Sequence, residues 1–456
     1  MHSEAEEASP TNIARDATRY SIESRIPTDI LELIFEAGAR SAQRQSSTFP
    51  KPIELVVSHV NRRWREIAVN LAMLWSFIRA SPFEALDKLE TYFERSKNHA
   101  LRVCLFAYKA YWSPDILEWM HPHLHRVRQF HLVTDFIHST LTVGSHFMGF
   151  DMPALEAFLF TPLDFAEFDS PPPPPLLPFT DGAPLLKSIR LNGPTLGLIK
   201  PPFSGITQLC LSERFPINFR SICEILNSCD CLVRFSFSGH TQRPHRRLAT
   251  PAEVFPFTLP QLRYLTLSNG GNSDVILSAM TAPKLCALRL NNFDEGDLAY
   301  FLQSSESSKF PVLESLSLLD NTFSVEEYHD IARIFPAIRS FSCLNSSYTD
   351  EVLEFLVPSP TSSSAAHMPW PNLSALSFSQ AQFTEKHQAM LCNLVSARVA
   401  LRSPILNLFL GYANRLLLDP DRLEWLRERL IVDDSTEMPE DEQMRFLVEF
   451  SCDDVW

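Results

Sequence analysis

Three groups of side chains in this 456-residue sequence have types and spacings that could do chemistry. In "HPHLH", His121, His123 and His125 alternate. On a strand, alternation turns all three imidazoles to one face, where they could ligate a transition metal. Pro122 disturbs a regular strand and no carboxylate motif accompanies the histidines, so the stretch reads as a polar turn leading into "RVRQFHL". Cys223, Cys229 and Cys231 form the tightest cysteine group, but they lack the paired C-x-x-C spacing and the matching ligands of a zinc site. The third group is "SHVNRRWREIAVNLAMLW", Ser58 to Trp75, which sets Arg62, Arg63 and Arg65 around Trp64. Basic residues interleaved with an aromatic are one way to grip a nucleic acid.

The charge of the chain argues against that use. Lys and Arg number 40 against 54 Asp and Glu, a formal net charge of -14. From Asp419 to Trp456 thirteen carboxylates stand against four arginines. Attraction to nucleic acid or anionic lipid is disfavoured on that balance. Only 12 glycines occur beside 34 prolines, and neither G-x-G-x-x-G nor G-x-x-x-x-G-K-[ST] is present, so nucleotide chemistry lacks its usual signature. No Ser/His/Asp order or paired-carboxylate motif stands out. The expectation is a protein that is not an enzyme and needs no cofactor or metal. Nine scattered cysteines, an acidic polar start and the lack of an apolar run of about 18 residues predict an intracellular protein, in cytoplasm, nucleus or both, with reduced thiols and no membrane partner.

The elements that would position these residues fall into two patterns. Residues 1–22 read as a disordered polar tail, and residues 23–80 as helical. In "SRIPTDILELIFEAG" Ile30, Leu31, Ile34 and Phe35 make one apolar stripe. Pro27 suits the first turn and Gly38 the C-terminal cap. After a polar loop over residues 40–50, Val56, Val60, Trp64, Ile67, Ala68 and Leu71 recur at steps of three and four. That spacing predicts one amphipathic helix with Trp64 on its buried stripe and the arginines on a solvated side or rim.

Beyond residue 100 a motif P-x-L-x-x-L-x-L takes over. It recurs as "MPALEAFLF", "APLLKSIRL", "LPQLRYLTLSN", "APKLCALRLNN", "FPVLESLSLLDN", "FPAIRSFSCLNS" and "WPNLSALSFSQ", with weaker copies such as "GITQLCLS" and "CLVRFSFSG", spaced by 20 to 35 residues. The last two apolar positions are two apart, so on a strand they face one core. One unit cannot bury that edge, whereas stacked copies form a continuous core beside a parallel sheet. This is a leucine-rich-repeat signature of irregular length. Spacers such as "SVEEYHDIARIF" and "TEKHQAMLCNLVSARV" are able to form helices. The predicted object over residues 100–415 is an α/β solenoid with a curved parallel sheet, interrupted by a polyproline loop at 168–178. Residues 416–456 form an acidic cap or tail, in which "DRLEWLRERLIVDD" reads as an amphipathic helix and Phe446, Leu447, Phe450 and Trp456 could fold back on the last repeat.

With these elements in place, residues 24–78 resemble the F-box motif. The resemblance rests on Val60, Arg62, Trp64, Arg65, Ala68, Leu74 and Trp75 in order and spacing, following "IPTDILELIFEAG". Ile26 stands in place of the usual leucine, Asp29 in place of glutamate and Asn61 where cysteine is common, swaps that preserve polarity and bulk. An F-box followed by leucine-rich repeats resembles the substrate receptor of a Skp/cullin/F-box type ubiquitin ligase. That resemblance implies a Skp-family adaptor and, through it, a cullin and RING ligase as partners. A domain of about fifty residues is too small to bury all its helical stripes, so a partner should complete them. The candidates for that interface are Ile26, Pro27, Ile30, Leu31, Ile34 and Phe35, with Val57, Val60, Trp64, Leu74 and Trp75 nearby; Pro27 and Leu31 are favoured for direct contact, and Trp64 for the core.

The repeats would choose an unidentified protein substrate. Alternation assigns as outward Tyr264, Thr266 and Ser268, Ala287, Arg289 and Asn291, Ser315 and Ser317, Ser340 and Ser342, and Ala375, Ser377 and Ser379. The substrate-binding candidates among them are Tyr264, Thr266, Ser268, Arg289, Asn291, Ser317, Ser342 and Ser377, with Tyr264 and Arg289 as the obvious anchors. An alternative is a leucine-rich-repeat scaffold outside any ligase, with the F-box-like helices serving only as an N-terminal cap.

Overall fold

A computed structural model of the chain describes residues 26–44, 52–81, 85–108, 115–135, 150–163, 179, 182–192, 201–213, 219–239, 256–269, 273–305, 309–344, 349–357, 368–379, 384–411 and 418–433. The tail at 1–22, the polyproline loop at 168–178 and the segment carrying Phe446, Leu447, Phe450 and Trp456 lie outside these residues.

Three helices open the described chain: α1 (Thr28–Arg44), α2 (Ile53–Ser58) and α3 (Arg62–Asn70). A 3-10 turn (Ala72–Trp75) leads into β1 (Phe77–Ala80), followed by α4 (Leu86–Arg95), β2 (Leu101–Ala107), α5 (Asp115–Met120), β3 (Val127–Thr134), β4 (Ala157–Pro162), β5 (Ser188–Asn192) and β6 (Gln208–Glu213). Then come α6 (Phe219–Asn227), β7 (Arg234–Gly239), β8 (Phe257–Thr258), β9 (Tyr264–Ser268), α7 (Ser273–Ala279), β10 (Met280–Thr281), β11 (Ala287–Asn291) and α8 (Ala299–Ser304). The chain continues through β12 (Ser315–Leu319), α9 (Val325–Ile334), β13 (Ser340–Leu344), α10 (Thr349–Leu356), β14 (Ala375–Ser379), α11 (Glu385–Ala400), β15 (Asn407–Leu410), α12 (Pro420–Arg427) and β16 (Ile431–Asp433).

The result is a mixed α/β protein whose main sheet has 14 strands in chain order, β8 and β10 forming a separate short pair. Every ladder is parallel, including the β7–β9, β9–β11 and β11–β12 pairs. Parallel neighbours need a return path between them, and the long spacers between motifs supply it. The first strand falls at residues 77–80, inside the interval read as helical, and the last reaches residue 433.

The repeated motif explains each rung. Leu262, Leu265 and Leu267 are buried, as are Leu285, Leu288 and Leu290, and Leu313, Leu316 and Leu318. Register puts Leu265, Leu288, Leu316, Phe341, Leu376 and Leu408 in one inward row across neighbouring strands. The proline that opens the motif has its own reason. Leu262 N–H donates to Leu259 O at 3.2 Å, Leu285 to Ala282 at 3.2 Å, Leu313 to Phe310 at 3.2 Å and Leu373 to Trp370 at 3.0 Å. Each is a four-residue turn with Pro260, Pro283, Pro311 or Pro371 second, where a fixed φ is pre-set and no N–H is required.

The far ends of β9, β11 and β12 are held by asparagine or aspartate. Asn269, Asn292 and Asp320 have φ of 63°, 56° and 53°, a left-handed geometry that these residues tolerate better than most. Their N–H groups reach across to the next rung, at Asn291 O, Leu319 O and Leu344 O. Asn321, 2% exposed, accepts from Phe293 N–H and donates to Leu290 O.

Both spacers expected to be helical are: they form α9 and α11, opened by side-chain caps from Ser324 and Thr384. The C-terminal expectation needs correcting. Helix α12 stops at Arg427, and residues 431–433 pair with β15 as the last strand. The β-branched residues Ile431 and Val432 suit a strand, and pairing with Asn407, Leu408 and Phe409 outweighs continuation of the helix.

Candidate functional site

The helix expected across Val56 to Leu71 is two helices, α2 and α3, separated at His59 to Asn61. Asn61 is the cause: its backbone is extended and its side chain accepts from Trp64 N–H at 2.8 Å, starting a new helix. The single stripe is therefore divided. Val56 and Val60 are exposed, Ile67 and Ala68 are buried, and Trp64 is half-buried, packed edge-on to Phe35 at 5.0 Å between ring centroids. The Trp64 indole N–H is enclosed and finds no acceptor among the described residues.

Gly38 lies inside α1, which runs on to Arg44, and so does not end the helix. A Cβ at Gly38 would stand 2.6 Å from Ile53 Cδ1, so glycine there lets α2 approach α1.

The arginines around Trp64 are largely occupied within the fold. Arg63 donates to Ile26 O at 2.6 Å, and Arg65 to Ser58 O at 2.9 Å, closing the carbonyl end of α2. Arg62 pairs with Glu66 at 3.0 Å in solvent. Leu74 and Trp75 are buried core residues. Trp75 donates to Ala68 O at 2.8 Å, meets Tyr92 edge-on at 5.1 Å and carries the Arg95 guanidinium over its face at 4.3 Å.

The expected stripe on α1 also divides in two. Leu31, Phe35 and Ala39, at i, i+4 and i+8, turn inward with 1%, 1% and 3% exposure. Ile30, Leu33 and Ile34, at i, i+3 and i+4, turn outward with 45%, 60% and 49%. Leu31, Phe35 and Val57 therefore pack inside, while Pro27, Ile30, Ile34 and Val60 are at the surface and Ile26 is half-buried. Leu33, Leu55 and Val56 are exposed apolar residues that the candidate set omits. The i, i+3, i+4 spacing of Ile30, Leu33 and Ile34 was itself a signal of a second apolar face.

On the sheet, the outward candidates are mostly covered. Tyr264, Thr266, Ser317 and Ser377 are 7%, 6%, 5% and 8% exposed, and Ser268, Arg289, Asn291 and Ser342 are half-buried. Parallel register explains part of this: Ser236, Thr266, Arg289, Ser317, Ser342 and Ser377 occupy one row on consecutive strands, so each short side chain is flanked about 4.8 Å away on both sides. Tyr264 is correspondingly a wall against Arg234, whose guanidinium lies 5.1 Å from its ring centre, and not a projecting anchor.

The same central row continues toward the N-terminus as Cys210, Arg190, Leu159, His131, Cys104 and Arg79. His131 Nε2 lies 3.0 Å from Thr161 Oγ1 and its Nδ1 3.6 Å from Cys104 Sγ, and Asn192 donates to Thr161 Oγ1 at 3.1 Å. Burial, then the Arg190 charge, push His131 down to about 4, and burial pushes the Cys104 thiol up to about 12. A protonated thiol beside a neutral imidazole is a poor nucleophile pair.

In the two metal-like groups of the sequence, His123, Cys223 and Cys229 are packed to different degrees, whereas His121, His125 and Cys231 are exposed. Residues 121–126 form a 3-10 turn in which His123 stacks on Phe93 at 4.3 Å and sits 3.2 Å from Arg126 Nη2. Burial pushes the Cys223 and Cys229 thiols up to about 11 and about 12. Among the described residues no group of three His, Cys, Asp or Glu side chains could hold a metal ion, and no helix is long and apolar enough to cross a membrane.

No protein-family model matches the chain, and no curated protein matches it.

Proposed function

We propose that this chain is the substrate-recognition subunit of a Skp/cullin/F-box type ubiquitin ligase. In this reading the N-terminal helices are an F-box that docks a Skp-family adaptor, and the stacked parallel rungs are an irregular leucine-rich-repeat solenoid that binds the target. One observation carries it. Of the thirteen exposed large hydrophobic residues among the described residues, six (Ile30, Leu33, Ile34, Leu55, Val56 and Val60) lie in the short span from residue 30 to residue 60. Such a concentration marks an interaction surface. Covering these half-exposed side chains is worth roughly 1 kcal/mol each. The inward face of the same helix is already satisfied by Leu31 and Phe35, so the outward apolar face is not needed for the core.

The full-length chain co-expressed with a Skp-family adaptor is expected to co-elute with it in size-exclusion chromatography. Leu33→Asp together with Ile34→Asp should abolish co-elution while leaving circular dichroism and thermal unfolding near the parent. No complex at low salt overturns the reading. A second reading, a repeat scaffold outside any ligase, draws on Trp75, Ile78 and Ala80, which bury the end of the helical unit against the first strands as a cap would. It predicts no complex, and an N-terminal segment that resists proteolysis without an adaptor.

A further inference from the structure

The outward strand positions carry a charge opposite to that of the chain. From β1 to β15 they include Arg79, Arg102, Arg190, Arg234 and Arg289 with His131, and no aspartate or glutamate. Carboxylates outnumber Lys and Arg by 54 to 40 overall, so five cations against none on one face is a local reversal of sign.

We infer that this face takes an acidic, extended segment of another protein, with Arg234 and Arg289 reading its carboxylates. The inference rests on the substrate-receptor reading and names the class of target. Arg190 is buried, whereas Arg79, Arg102, Arg234 and Arg289 are half-buried at the surface. Each keeps contacts inside the fold, such as Arg234 over the Tyr264 ring, so the argument concerns the net sign that the face presents to a partner.

Beside Arg289 lies a floor of Ser315, Ser317, Ser340, Ser342, Ala375 and Ser377, in register on β12, β13 and β14. Side chains this short let an extended backbone lie close to the sheet. The hydroxyls of Thr266 and Ser377, on residues more than nine-tenths buried, find no partner among the described residues and lie in the row that holds Arg289. A nucleic acid suits the stretch around Arg234 and Arg289 less well, because Tyr264 and Phe409 are buried and offer no stacking surface there.

The test uses the full-length chain and two fluorescein-labelled pools of twelve-residue peptides, one alternating Glu and the other Gln with mixed Ala, Ser, Gly and Leu. Fluorescence anisotropy should show the Glu pool binding at about 50 mM salt, weakening toward about 300 mM, with the Gln pool at least about tenfold weaker. The Arg234→Gln/Arg289→Gln variant should lose about tenfold in affinity, and Arg339→Gln, which removes an exposed ion pair with Glu314, should lose nothing. Ser342→Asp, which sets a carboxylate on the floor without removing an arginine, should weaken binding likewise and serves if the double variant does not fold. Failure of the Glu pool to bind, equal binding of the Gln pool, an unchanged double variant, or displacement of the Glu pool by an equal concentration of oligouridylate RNA overturns the inference. Adaptor co-elution of the same variants separates the two claims: peptide binding without adaptor binding sinks the ligase reading alone, and the converse sinks this one alone.

Discussion

His131 and Asp274 are buried titratable groups displaced in opposite directions. Burial, with the Arg190 charge, holds His131 at about 4, below the ordinary histidine range. Burial, with the Asp297 carboxylate adding to it and the Val275 N–H opposing it, lifts Asp274 to about 6. The unfolded chain binds a proton at His131 between about pH 6.5 and 4 that the folded chain refuses, so this residue makes stability fall as pH falls through that window. The folded chain retains a proton at Asp274 between about pH 4 and 6 that the unfolded chain releases, so this residue makes stability fall as pH rises. The two slopes oppose one another in the wild type. His131→Gln should unmask a decline in stability from pH 4 to 6, and Asp274→Asn a rise, each up to about 3 kcal/mol across the window. Urea unfolding at half-unit pH steps measures both, and parallel profiles in the two variants would remove these residues from the account.

At the scale of the element, caps and turns decide where the pattern stops. Ser324 accepts from Glu327 N–H, and Glu327 Oε2 accepts in return from Ser324 N–H at 3.0 Å. Glu327 Oε1 also accepts from Gly296 N–H at 2.9 Å, tying α9 to the preceding rung. Ser324→Ala should cost about 1 kcal/mol. Glu327→Ala should cost more, because it strands two N–H groups instead of one. Denaturant midpoints at constant m-value test the order, and equal losses would show that the Gly296 contact adds nothing. The S-x-x-E that opens α9 is a capping-box pattern carried by the sequence, whereas the T-x-x-H that opens α11 lacks the usual Glu or Gln and shows its cap only in the structure. The division of Val56 to Leu71 was not legible in the sequence, because a period of three and four survives a break at Asn61 when the second helix resumes in phase. Likewise, Ile30, Leu31, Ile34 and Phe35 form one stripe on a helical wheel, and only contact with α2 and α3 sends Leu31 and Phe35 inward.

At the scale of the whole molecule, each strand of the main sheet pairs only with the strands next to it in chain order, so the two ends of the sheet are its weak points. The last rung buries Leu408 and Leu410 under a final unit that contributes Leu426 and Leu430. Ending the chain after residue 411 removes α12 and β16, uncovers those leucines and leaves β15 as an unpaired edge. The truncated chain is expected to unfold at lower urea than the full chain and to self-associate with rising concentration in analytical ultracentrifugation. A monodisperse truncation of unchanged stability would show that β16 closes nothing.

The rungs were legible in the sequence because each is a local object. The turn proline and the inward pair two residues apart depend on neighbours within a few residues, and they repeat. The apolar character of α1 and the strand phase of the repeated motifs are set by the order of residues alone, whereas the charge on the outward face includes Arg79, on a strand that falls in an interval read as helical. Exposure is different in kind. Whether Leu31 or Ile34 meets water, whether Tyr264 projects or serves as a wall, and whether residues 431–433 extend a helix or pair with β15 depend on groups distant in the chain. Those outcomes belong to the tertiary structure, since burial is a property of the neighbours a side chain acquires and not of the side chain itself.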